Sequence, residues 1–159
     1  MVDSLTPMDP LEERRVASEL FNHVWTLLDL EVRSADQDDE MVHAAHASRW
    51  HWGRVGGPEQ RAVGEWQCSR VYAVLGRGAQ AAHHAQRCLE LSVLDGVDAF
   101  VESSAHEAMA RALAVLGDID GAVAERNLAY ALAVALEDDD DRAVIEGDLG
   151  TLPLPGAAG

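Results

Sequence analysis

The chain has 159 residues with 28 acidic and 12 basic side chains, so its formal net charge is −16, and every basic residue is arginine. This length suits a single domain, and the charge balance, with no Lys-rich or Arg-rich block, excludes nucleic acids and anionic membranes as main partners. No stretch approaches the ~18 consecutive apolar residues of a membrane-spanning helix, and residues 1–15 lack the pattern of a secretion signal. Cys68 and Cys88 form no CxxC motif and are expected to be reduced, buried thiols. We therefore expect a cytoplasmic protein.

The composition predicts an all-α fold. Alanine and leucine dominate, isoleucine occurs only at Ile119 and Ile145, and no segment alternates apolar and polar residues as a strand would. The first helix should begin near Pro10, with Asp9 as its cap, because proline is tolerated in the first helical turn. The second should begin in the run 34–40 and end near 54, and the last should begin in the acidic run 137–141 and end by Gly150. Between them, helices are predicted over 58–75, 79–94, 99–116 and 119–136.

Short loops between helices of this length predict antiparallel neighbours. The expected architecture is therefore a helical hairpin array of six to seven helices. We predict a single domain at 10–150, preceded by an N-terminal segment at 1–9 and followed by a disordered tail at 151–159, where proline and glycine are frequent.

An internal repeat supports the array. Residues 70–76 align with residues 111–117 at an offset of 41, and Ala81 then aligns with Ala122. The spacing of Tyr72, Gly76 and Ala81 resembles the tetratricopeptide repeat over about residues 62–136, although its usual period is about 34 residues and its leading Trp and closing Pro are absent here. The resemblance implies a binding or scaffold module whose exposed concave surface is built mainly from the odd-numbered helices.

The second helix is unusually rich in histidine and tryptophan. Glu40, His43 and His46 fall on one helical face, and Glu-x-x-His is a spacing that metal-binding helical bundles use. With His84 from the fourth helix, and Glu65 from the third, they form a candidate site for a divalent transition metal. The alternative is that His43, His46 and His84 are interior or groove histidines hydrogen-bonded to neighbouring polar groups.

A binding pocket for a peptide or a small molecule is the third interpretation. Tryptophans would supply flat apolar walls, and two rings at Trp50 and Trp52 should face different surfaces. Arginines recurring at Arg49, Arg70 and Arg111 suggest an acidic peptide or a carboxylate ligand, although Glu107 is placed to pair with Arg111. The full set of candidate binding residues comprises Arg49, Trp50, Trp52, Glu65, Trp66, Ser69, Arg70 and Tyr72.

No nucleophile, phosphate-binding or dinucleotide motif occurs in the chain. We therefore expect a protein- or peptide-binding module without a cofactor, with self-association as a way of burying leftover apolar surface. The alternative is a small-molecule- or metal-binding helical protein, an enzyme or a sensor, with its site around His43, His46, Glu65 and His84.

Overall fold

A computed structural model describes residues 5–156, which form seven α-helices and no strand. The all-α prediction is confirmed, and most helix ends fall within two residues of those expected. The helices are α1 (Pro10–Leu28), α2 (Ala35–Val55), α3 (Pro58–Val74), α4 (Gly78–Ser92), α5 (Ala99–Leu116), α6 (Ile119–Val134) and α7 (Asp139–Leu149).

Local side-chain hydrogen bonds define the helix starts. The Asp9 carboxylate accepts from the backbone N–H groups of Leu11 and Glu12, so it caps α1 as predicted. Ser34 caps α2 by accepting from the Gln37 backbone N–H, and the Gln37 side chain accepts in return from the Ser34 backbone N–H. Such caps satisfy amide groups that the helix itself leaves unpaired.

The two aligned segments end their helices in the same way. Gly76 and Gly117 both have positive φ angles, of 72° and 84°, which glycine adopts without a steric penalty. In the first turn the Arg77 N–H donates to the Tyr72 carbonyl at 2.8 Å, and in the second the Asp118 N–H donates to the Leu113 carbonyl at 3.0 Å. Residues 41 positions apart therefore occupy equivalent places in two turns of the same structure.

The helices form an array of antiparallel hairpins in which each helix packs against the next along the chain. In addition, α3 packs on α5, α5 packs on α7, and α1 touches α3 lightly. Across residues 5–156, the even-numbered helices do not pack on one another. The odd-numbered helices therefore form an inner layer that is packed from α3 through α5 to α7 and has a gap between α1 and α3.

Small residues allow the helices to approach closely. The buried core is rich in alanine, including Ala62, Ala81 and Ala112. At the crossing of α2 and α3, a Cβ atom added to Gly64 would lie 2.8 Å from Cδ of Arg49. Glycine at this position brings α2 close enough for Arg49 to reach the buried side of α3.

The segment after α7 differs from the predicted tail. Leu152 is 3% exposed, and the Arg111 guanidinium donates to the carbonyl and the hydroxyl oxygen of Thr151 at 3.2 and 2.8 Å. The chain is therefore held against α5 at least as far as Leu152, because Arg111 supplies donors that its own helix does not use. Residues 157–159, the end of the predicted tail, lie outside the described range, as do residues 1–4 of the N-terminal segment.

No helix among the described residues combines the length and the hydropathy needed to cross a bilayer.

Candidate functional site

The inner layer contains an apolar cavity of about 310 Å³, which we call the inner groove. Four odd-numbered helices line it, because α1, α3, α5 and α7 each present two or three side chains to the gap in the layer. Its walls are mainly aromatic and branched aliphatic, and the Trp25 and Trp66 rings lie 5.7 Å apart between centroids. The lining residues are Phe21, Trp25, Val63, Trp66, Phe100, Val101, Ser104, Val144 and Asp148.

A second cavity of about 380 Å³, the side recess, adjoins the inner groove because Phe21 and Val63 line both. It is more polar, and Trp52 from the end of α2 forms part of its wall. The other lining residues are Ser18, Asn22, Glu59 and Gln60. Each cavity is near the lower end of the volumes typical of ligand sites. Together they form one surface with two places for a bulky side chain.

A buried ion cluster lies beside the inner groove and links α3, α5 and α7. The Glu107 carboxylate is fully buried and accepts from Arg111 Nε at 2.8 Å. Arg70 Nη2 lies 3.4 Å from Glu107 Oε2 and 3.1 Å from Asp148 Oδ1, and its guanidinium lies over the Trp66 ring, 5.2 Å from the centroid. Through Arg70, the cluster holds in place Trp66 of α3 and Asp148 of α7, two residues that line the groove from different helices.

A separate polar cluster lies where α2 and α4 flank α3. Glu65 is buried and accepts from Arg49 Nε at 2.8 Å, while its second oxygen lies 2.7 Å from His84 Nδ1. Burial would raise the pKa of Glu65, but the hydrogen bond from His84 and the charge of Arg49 outweigh it and lower the pKa. Glu65 is therefore an ionised carboxylate held between two basic side chains.

His46 and Tyr72 complete this polar cluster. His46 Nε2 lies 2.8 Å from the Tyr72 hydroxyl, and the Tyr72 ring stacks on His84 with an interplanar angle of 8°. Burial lowers the pKa of His46, and the neighbouring His84 lowers it further. The neutral form of His46 is therefore favoured, and its ring forms a hydrogen bond with the Tyr72 hydroxyl.

The contact between Glu65 and His84 has a counterpart in the second repeat. Adding the 41-residue offset to this pair gives His106 and Glu125, and His106 Nδ1 lies 2.6 Å from Glu125 Oε2. In the first pair the acid lies on α3 and the histidine on α4, whereas in the second pair the histidine lies on α5 and the acid on α6. Both pairs join the two helices of a hairpin. In the first hairpin, His51 lies 3.1 Å from Glu13 and His23 lies 2.6 Å from Glu40. A histidine–carboxylate contact thus joins the two helices in each of the pairs α1–α2, α3–α4 and α5–α6, which indicates a structural role for it.

The candidate metal ligands are not gathered at one point. Glu40 is exposed and pairs with His23 of α1, and His43 is exposed. His46 and His84 lie together, but they contact Tyr72 and Glu65. Within residues 5–156 no three His, Cys, Asp or Glu side chains are placed to hold a metal ion.

The candidate binding residues fall into two groups. Trp52 and Trp66 line the two cavities, and Arg70 lies beside them. The others lie away from the cavities. Glu65, Ser69 and Tyr72 lie on the polar side of α3, where Glu65 meets Arg49 from α2 and Ser69 donates to the Ala81 carbonyl at 2.8 Å. Trp50 is 47% exposed, with Arg54 against its ring.

The three recurring arginines are each paired with a buried carboxylate of the chain, which argues against their binding an acidic ligand. Arg49 is bonded to Glu65, and Arg70 and Arg111 share Glu107. A guanidinium whose charge is balanced by a buried carboxylate has little left to recruit an acidic ligand. The pairing of Arg111 with Glu107 agrees with their spacing along the helix, whereas the pairs that cross between helices depend on the packing.

Several groove residues were missed by the sequence reasoning. Phe21, Trp25, Phe100, Val144 and Asp148 line the inner groove, but none of them is among the candidate binding residues named from the sequence. Phe21 and Trp25 are four residues apart and widen the apolar face of α1 beyond the stripe that contacts α2, which is a signal of a second contact surface. No comparable signal marks Asp148.

Both cysteines are free and buried. Burial raises the pKa of Cys68 and of Cys88 to about 12. Since the thiolate is the reactive form, neither side chain is suited to act as a nucleophile at neutral pH.

Comparison of the chain with known protein families, curated proteins and solved structures finds no match.

Proposed function

We propose that the chain is a protein- or peptide-binding module, of a kind that resembles tetratricopeptide-repeat scaffolds, and that its partner binds in the inner groove and the side recess. The observation that carries the proposal is the continuous apolar surface formed by α1, α3, α5 and α7. Repeat arrays of helical hairpins use such inner surfaces for extended partners. A cytoplasmic location belongs to the same proposal, and two free cysteines fit it.

The size of the cavities supports a peptide with two bulky side chains. Burying one aromatic side chain removes about 150–250 Å² of surface from water, and at ~25 cal/mol per Å² this gives about 4–6 kcal/mol. Association itself costs about 4–15 kcal/mol. A single anchor in the inner groove therefore gives little net affinity, whereas a second anchor in the side recess can exceed the cost.

The polar cluster supports binding rather than catalysis as the role of this domain. Glu65, His84 and Arg49 satisfy one another, and the related pair of His106 with Glu125 lies away from α2 and its histidines. The same histidine–carboxylate contact occurs twice, at positions related by the repeat offset. A role in holding each hairpin together explains both copies, so a catalytic role is not needed to explain them.

A pair of matched variants tests the groove. Val144 lines the inner groove and is 52% exposed, while Val134 lies on the outer face of α6 and is 51% exposed. Because both are half-exposed helical valines, Val144→Asp and Val134→Asp should cost similar, small amounts of stability. Only Val144→Asp places a charge in the groove.

The assay selects peptides from a random displayed library on the wild-type protein and measures their affinity by intrinsic tryptophan fluorescence, since Trp25 and Trp66 line the groove. We expect Val144→Asp to weaken binding at least tenfold, which is about 1.4 kcal/mol, and Val134→Asp to change it less than twofold. Failure to select any peptide, or equal effects of the two variants, would refute the proposal.

Self-association stays a prediction. Tyr130 and Val134 lie four residues apart on one face of α6, each is about half exposed, and residues 127–136 carry no charge. Light scattering of the wild type and of Val134→Asp over a range of concentrations tests whether this surface joins two copies.

A further inference from the structure

The charged side chains that line the two cavities are all acidic. Their lining contains Glu59 and Asp148 and, within residues 5–156, no arginine or histidine. Glu59 comes from the first turn of α3 and Asp148 from the end of α7. The carboxylates therefore stand at different parts of the surface, one in the side recess and one in the inner groove.

Both carboxylates keep capacity for an external cation. Neither an ion pair nor a side-chain hydrogen bond engages the Glu59 carboxylate among the described residues. Asp148 gives one oxygen to Arg70, and its side chain is 28% exposed. A carboxylate accepts at two oxygens, so Asp148 retains one as a hydrogen-bond acceptor for a ligand, although its charge is balanced by Arg70. Glu59 is the lining carboxylate whose charge is unpaired among the described residues.

The charge of Arg70, which lies beside the inner groove, is already balanced by carboxylates of the chain. The Arg70 side chain is 13% exposed and lies between Glu107 and Asp148. Arg111 adds a second positive charge to Glu107 from the far side. The cluster therefore contains two arginines and two carboxylates, and it offers no net positive charge to a ligand in the groove.

We propose that the groove is selective for a peptide segment in which bulky apolar side chains are flanked by lysine or arginine. The proposal rests on the proposed function, because it names the chemistry of the partner for the same surface. The apolar side chains fill the inner groove and the side recess, and the flanking cations meet Asp148 and Glu59. The net charge of −16 attracts such a segment from a distance and repels an acidic one.

Three synthetic peptides test the preference. Each has the core Trp-Ala-Ala-Leu-Phe, and each end carries two lysines, two glutamines or two glutamates. We expect the lysine peptide to bind about tenfold tighter than the glutamine peptide, mainly through a faster association rate, and the glutamate peptide to bind most weakly. The differences should shrink in 1 M NaCl, where the screening length is about 3 Å.

Variants of the two lining carboxylates test which of them causes the preference for the lysine peptide. Glu59→Gln should reduce the preference for lysine over glutamine about threefold without affecting the ion cluster, because Glu59 has no part in it. Asp148→Asn should reduce it similarly but also removes a partner of Arg70, so Glu59→Gln is the decisive variant. Glu146→Gln, an exposed position on α7 outside both cavities, is the matched control and should change nothing.

The outcomes separate the two proposals. Equal binding of all three peptides, or preference for the glutamate peptide, overturns the charge selectivity and leaves the proposed function in place. Binding of none of them overturns both. A dimer that forms without peptide and dissociates in Val144→Asp would identify a second copy of the chain as the occupant of the groove, and would likewise overturn the inference.

Discussion

Replacing Glu107 by glutamine removes the carboxylate that balances two arginines inside the domain. The substitution keeps the volume of the side chain but leaves Arg111 and Arg70, whose side chains are 10% and 13% exposed, with one buried anion fewer. Removing one partner of a buried ion pair typically costs about 3–5 kcal/mol, because the remaining charge stays desolvated. We expect Glu107→Gln to lower the free energy of unfolding by that amount.

The variant should remain folded in water, because domains have a total stability of about 5–15 kcal/mol. Urea denaturation followed by circular dichroism measures the loss, with an unchanged m-value. At about 2–4 °C per kcal/mol for a chain of this size, the melting temperature should fall by roughly 6–20 °C. The control is Glu19→Gln, since the Arg15–Glu19 pair is exposed and such pairs contribute at most about 1 kcal/mol. A loss below 1 kcal/mol for Glu107→Gln would refute the idea that Glu107 holds the cluster together.

Two further predictions concern helix packing and pH. Gly64→Ala should destabilise the domain by about 1 kcal/mol, because displacing Arg49 costs about 1–3 kcal/mol and better helix propensity returns only ~1 kcal/mol. Gly147→Ala, where nothing outside the local helix backbone lies within 4 Å of the added Cβ, should instead stabilise it by about 0.5–1 kcal/mol. The same sign for both variants would contradict the close crossing. Since the pKa of His46 is lowered from 6.5, its contribution to stability is complete above that pH and is lost as the pH falls. Urea titrations between about pH 7.5 and 5.5 should therefore show a larger loss in the wild type than in His46→Gln, and equal losses would show that His46 takes up its proton freely in the folded state.

The helices were predictable from the sequence because their signals are local. Asp9, Ser34 and Pro58 mark starts that depend on neighbouring residues alone, and Gly76 and Gly117 mark ends that require a positive φ angle. These features act within one helical turn, so no knowledge of the packing is needed to find them.

The candidate site was predicted only in part, because its residues are brought together by packing. Trp52 and Trp66 were named from their size, and they line the cavities. Whether Arg70 is free or balanced depends on Glu107 and Asp148, which lie 37 and 78 positions further along the chain. Periodicity assigns a residue to a face of its own helix, but it does not identify the helix that this face meets.

The exchange of acid and histidine between the two repeats limits how the helices can be recombined. A chimera that joins α3 to α6 in place of α4 would set Glu65 against Glu125, and one that joins α5 to α4 would set His106 against His84. Like pairs of this kind repel when ionised, whereas moving a complete hairpin keeps each acid with its histidine. The hairpin, and not the single helix, is therefore the unit in which this domain can be duplicated, shuffled or extended.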